Sequence, residues 1–136
     1  MNGSTIAKTN KVAAFSIIAG IILYLSKYLR VYFTDNAFVT FVLGFLPNFG
    51  LSFAIPFVYV SNRVRQKKAV KHFPAACLVT LVLMILNEIR DKYQPGRTFD
   101  MFDIYASFAG VLAAYLLFRF VGEARTQKPG ATPTKA

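Results

Sequence analysis

Four apolar runs, each long enough to cross a bilayer, occupy most of this 136-residue chain and leave only short polar connections. They cover about 12–33, 37–61, 73–90 and 101–121. A hydrocarbon core of about 30 Å needs about 20 helical residues, and lipid leaves no partner for an unpaired backbone group. The blocks are continuous rather than alternating or amphipathic, so a soluble sheet or helical fold is disfavoured. The expected fold class is therefore all-α: an integral membrane bundle of four transmembrane helices. One domain spans 12–121, preceded by a cytoplasmic segment at 1–11 and followed by a polar, disordered tail at 122–136.

The formal net charge of +10 invites a nucleic-acid reading, but the placement of the bases opposes it. Arg63, Arg65, Lys67, Lys68 and Lys71 form one block between two apolar runs, and no nucleic-acid recognition motif accompanies them. A basic loop beside a span is what the positive-inside rule produces, and it suits an anionic lipid surface. The expected partners are membrane lipids, not nucleic acid. Lys8 and Lys11 precede the first span, and Arg125, Lys128 and Lys135 follow the last. Both termini and the basic loop then lie in the cytoplasm of a cell (inner) membrane, and the other two connections lie outside.

Local signals refine the spans. A cleaved signal peptide competes for the first run, but Tyr24, Lys27, Tyr28 and Arg30 make no small-residue cleavage site. Lys27 and Arg30 are expected to snorkel toward the interface, beside a belt of Tyr24, Tyr28 and Tyr32. Asp35 is the expected cap of the second helix. Pro47 and Pro56 fall inside that helix, and Pro47-Asn48-Phe49-Gly50 is expected to kink or open it. Asn48 reads as an amide bonding to a neighbouring helix. Pro95-Gly96 marks a turn, and Ala106, Ser107, Ala109, Gly110, Ala113 and Ala114 offer the fourth helix a close-packing face. Cys77 is the only cysteine and His72 the only histidine, so no intrachain disulfide, metal site or cofactor is expected.

The segment 88–110 concentrates charge where two spans leave the lipid, which is costly enough to suggest a purpose. Glu88 closes the third span and Asp103 opens the fourth, so an antiparallel pair would bring the two carboxylates together. Arg97, after Pro-Gly, suits a carboxylate or phosphate held bidentately. The alternative is that Glu88, Arg97 and Asp103 pair with one another and lock the turn.

Glu88, Pro95-Gly96-Arg97, Asp103 and Gly110 together resemble the signature of the VanZ-like membrane proteins. In that family a helix ending in Glu leads through a P-x-R turn to a D-x-x-x-N-x-x-G helix. The match covers about a quarter of the chain, and the four-span layout agrees over most of it. Asp91 stands where the family usually has Gln, Ser107 where it has Asn, and the family's D-K-x-x-H pattern is not visible. The resemblance implies a divergent bacterial cell-envelope protein; founding members are associated with low-level teicoplanin resistance, an activity not carried over to this chain. It makes Glu88, Asp91, Arg97, Asp103 and Ser107 the candidate ligand-binding set.

Three functions remain open on these residues. The first is binding of an envelope precursor or lipid headgroup, with Arg97 on its anionic group. The second is a membrane enzyme using Glu88 and Asp103 as acid and base on a lipid-linked substrate, for which no nucleophile is evident. The third is a transporter subunit, which would require a dimer or larger assembly.

Overall fold

A computed structural model describes residues 3–123. Residues 124–136, most of the expected disordered tail, lie outside the described residues. The described residues form four α-helices: α1 (Gly3–Leu25), continued by a short 3₁₀ helix (Ser26–Val31), α2 (Ala37–Arg65), α3 (Phe73–Lys92) and α4 (Met101–Glu123). Each is long and apolar enough to cross a membrane, so the protein is a multi-pass all-α membrane bundle. The 20 residues of α3 rise about 30 Å at 1.5 Å each, matching one hydrocarbon core. Large apolar side chains such as Phe15, Ile22, Leu78, Leu83, Phe108 and Phe120 point outward on all sides. A soluble protein would not leave so much apolar surface uncovered. Lipid makes that exposure favourable.

The helices overrun the expected spans because polar ends continue a helix that apolar residues nucleate. α1 starts at Gly3, well before Val12, and ends at Leu25; of the rest of the expected first span, Ser26–Val31 is the 3₁₀ helix and Tyr32 and Phe33 lie beyond it. There Ser26 Oγ donates to the carbonyl of Leu23, the local competition that tightens a helix end. α2 extends past Ser61 to Arg65 and runs unbroken through Pro47 and Pro56, so the expected opening at Pro47–Gly50 does not occur. Its cap is Asn36, not Asp35: Asn36 Oδ1 accepts from the N–H groups of Phe38 (3.0 Å) and Val39 (3.3 Å).

α2 is the central helix and packs against α1, α3 and α4. Against α1 the backbones nearly touch. A Cβ built on Gly50 would stand 2.6 Å from the carbonyl oxygen of Gly20, and one on Gly20 would stand 2.5 Å from that of Gly50. Against α4 the same role falls to Gly110, where a Cβ would collide with Ser52 Oγ and the carbonyl of Phe49. Small residues let membrane helices gain dispersion contacts where no hydrophobic force joins them. Ala106 and Ala114, from the predicted close-packing face of α4, are fully buried beside this contact.

An i, i+4 row of phenylalanines winds along α2. Phe41, Phe45, Phe49, Phe53 and Phe57 contact one another in turn, with centroids 5.5–6.4 Å apart. The row continues through Phe73 on α3 to Phe118 on α4, whose rings stack at 4.1 Å. Rows of this spacing form an inclined ridge, so the aromatic spine crosses from one end of the bundle to the other. Three hydroxyls inside the bundle bond to their own helix, Ser52 to Phe49, Thr80 to Ala76 and Ser107 to Asp103, at 2.8–3.0 Å, while the buried Ser16 hydroxyl has no such partner. Lipid offers no other partner.

The two ends of the bundle differ in charge. At one end α2 stops in a Schellman arrangement: Lys67 N–H bonds to Val64 and Lys68 N–H to Arg63, each at 3.0 Å, with Lys67 at φ 54°. Arg63 then clamps the loop by donating Nε and Nη2 to the carbonyl of Ala69. Arg65, Lys67, Lys68 and Lys71 remain exposed there. The opposite end holds the 3₁₀ helix, the start of α2, the α3–α4 connection and the acids Asp35, Glu88, Asp91, Asp100 and Asp103.

Candidate functional site

The α3–α4 connection is built around Glu88, which is only 6% exposed although it lies near the end of α3. Its Oε1 accepts the backbone N–H of Asp100 at 2.9 Å. Asp100 in turn caps α4, its Oδ1 accepting from Phe102 N–H at 2.9 Å. One carboxylate thus fixes the residue whose carboxylate starts the next helix. Between them, Pro95-Gly96 forms the predicted turn, with Arg97 N–H bonded to the Gln94 carbonyl and Gly96 at φ 79°. Those features match a type II turn.

Arg97 pairs with neither Glu88 nor Asp103. Its Nη1 donates to Asp91 Oδ2 at 2.5 Å, and Arg90 approaches the other oxygen at 3.6 Å. The expected loop began at Asp91, but α3 runs to Lys92, so Asp91 sits on the helix and ties the loop back onto it. Ser107 is buried and its hydroxyl is committed to the carbonyl of Asp103 at 2.9 Å. Of the five candidates, Glu88, Asp91 and Asp103 come together closely enough for their charges to interact. Arg97 lies on the outside of the turn and Ser107 one turn deeper in α4.

Asp103 leads to a different constellation. On the α2 side, the Asn48 side chain lies near enough to act on its carboxylate. Gly110 permits this meeting, because it lets α4 lie against α2 two turns further on. From the 3₁₀ helix, Arg30 comes near enough to act on Asp103 electrostatically, and its Nη1 lies 3.9 Å from where a Cβ on Gly44 would sit. Arg30 therefore reaches across the first turns of α2 instead of extending away from the bundle.

These groups open onto a cleft of about 250 Å³ lined by Arg30, Thr40, Gly44, Thr98, Asp100 and Asp103, with Phe41, Phe45 and Phe102 at its sides. Most of its surface is polar, unlike the apolar grooves between α3 and α4 and between α1 and α2. Thr40 joins it to the α1–α2 connection by donating Oγ1 to the Phe33 carbonyl at 2.9 Å. Among the described residues Arg30 has no carboxylate within 4.0 Å, so its guanidinium carries no ion pair.

The chemistry on offer is recognition of charge. Ser107 is held by its own helix and Cys77 is buried in the apolar core, so neither stands at the cleft as a nucleophile. No group of three or more His, Cys, Asp or Glu side chains among the described residues is arranged to hold a metal ion. Sequence reasoning missed Arg30, Thr40, Thr98 and Asp100. The available signal was the excess of bases at the end of the first span, facing the acids of the α3–α4 connection.

Comparison of the chain with protein-family models, curated proteins and solved structures gives no match.

Proposed function

We propose that this protein holds the polar headgroup of a membrane amphiphile in the cleft between Arg30, Asp100 and Asp103. The supporting observation is an unpaired guanidinium facing two carboxylates in one polar cleft, where helices that cross the membrane begin and end. Arg30 stands exposed at this cleft, and its guanidinium matches a phosphate or carboxylate in charge and geometry. The helix N-termini at this end do not compete for the anion. α2 is capped by Asn36 and α4 by Asp100, which leaves Arg30 as the group that would hold it.

The basic block at the opposite end supports an orientation with that end and both termini in the cytoplasm of a cell (inner) membrane. The cleft then faces outward, toward headgroups of the outer leaflet and envelope precursors. Kinship with the VanZ-like proteins is part of the same proposal and rests on the spacing of Glu88, Arg97, Asp103 and Gly110. In this reading Glu88, Asp91 and Arg97 shape the connection, and Arg30 and Asp103 meet the ligand.

Native mass spectrometry of the full chain, extracted in mild detergent, tests the reading. The wild-type chain is expected to retain a bound amphiphile that the Gly44→Leu variant loses, since Gly44 lines the cleft and its Cβ position has only Arg30 within 4 Å. Equal retention by both forms would overturn the proposal.

A further inference from the structure

The hydrogen-bonding inventory of the cleft goes further than its shape. Arg30 is a donor with no acceptor capacity. Thr40 has already given its hydroxyl proton to Phe33 and can only accept. Asp100 has one oxygen in the α4 cap, and Asp103 has the Asn48 amide near its carboxylate. A carboxylate has about four lone-pair sites, so both retain acceptor capacity. Donors in the cleft come from Arg30 and the Thr98 hydroxyl, acceptors come from Thr40 and the two carboxylates, and the lining residues carry one positive charge against two negative ones.

From this, and resting on the headgroup reading above, we infer that the ligand is a zwitterion with a phosphate and a primary ammonium. The phosphate binds Arg30, and the ammonium binds Asp100 and Asp103. A plain anion would satisfy Arg30 but would face two carboxylates. A quaternary ammonium would satisfy the charge but brings no N–H to their lone pairs. A primary ammonium brings three donors. Charge-assisted bonds of this kind are the strong ones, and Arg matches phosphate in geometry as well as sign. Phosphoethanolamine has this chemistry, whether as a lipid headgroup or as a free soluble compound.

The test uses the full chain in detergent micelles and short-chain phosphatidylethanolamine, phosphatidylcholine and phosphatidylglycerol with matched acyl chains, alongside soluble phosphoethanolamine. Phosphatidylethanolamine is expected to bind at least tenfold more tightly than the other two lipids. Asp100→Asn keeps a competent helix cap, and Asp103→Asn keeps a side chain of the same size. Each is expected to remove that preference while phosphatidylglycerol binding is held or improved. Two variants guard against one that fails to fold. Phosphatidylglycerol binding as tightly as phosphatidylethanolamine in the wild type would overturn the zwitterion and leave the headgroup reading standing. Binding of soluble phosphoethanolamine as tightly as the lipid would uphold the zwitterion and overturn the membrane amphiphile. No binding by any of the four would overturn both.

Discussion

Glu88 Oε1 and the backbone N–H of Asp100 meet at 2.9 Å across twelve residues of sequence, and that bond joins the end of α3 to the start of α4. It explains why an acid is buried at the end of a membrane helix. A side chain reaching back from α3 gives the loop N–H an acceptor where lipid gives none. Replacing Glu88 by Ala leaves that donor without its partner, and stability is expected to fall by about 1–3 kcal/mol. Glu88→Gln keeps an acceptor oxygen at the same reach and is expected to lose far less. Thermal unfolding of the two variants in detergent checks the difference.

The close helix contacts make a second prediction. Gly50→Leu and Gly110→Leu would each force a side chain into a neighbouring backbone, so α2 must separate from α1 or from α4. Overpacking of this kind costs about 1–3 kcal/mol. The loss of folded protein should be evident in detergent stability. Gly96→Ala acts differently, because open space surrounds Gly96 and only its φ of 79° opposes a side chain.

Arg97 and Arg30 should separate cleanly. The Arg97 side chain is 57% exposed and pairs with Asp91 outside the cleft, so Arg97→Ala should cost at most about 1 kcal/mol and leave amphiphile retention intact. Arg30→Gln should keep the fold and abolish retention. Loss of retention in Arg97→Ala, with folded protein at wild-type amounts, would move the binding site to the α3–α4 turn.

The orientation is testable by labelling. With Cys77 replaced by Ala, a Lys67→Cys variant should react with a membrane-impermeant maleimide only after the cells are opened. A Thr98→Cys variant should react in intact cells. The reverse pattern would place the cleft in the cytoplasm.

The fold was legible in the sequence because four apolar runs leave few alternatives in lipid. The site was legible only in part. Glu88 and Asp103 stood out as acids at span boundaries, and their approach follows from antiparallel α3 and α4. Arg30 did not stand out. Its role depends on the 3₁₀ turn that redirects it and on the Gly20–Gly50 contact that holds α1 against α2, and both arise from packing between distant residues. Arg97 misled for a related reason: its partner was set by two further residues of α3, which carried Asp91 onto the helix. The Pro47–Gly50 run does not open α2, which stays helical through it.

The most direct measurement of cleft occupancy is photocrosslinking. Phe41, at the side of the cleft, is replaced by a benzophenone-bearing residue; the same replacement at Phe120, exposed on α4, reports bulk lipid. In native membranes the Phe41 site should yield one dominant amphiphile adduct, distinct from the mixture at Phe120 and lost when Arg30→Gln is added. An adduct pattern at Phe41 that matches Phe120 and is unchanged by Arg30→Gln would contradict the account.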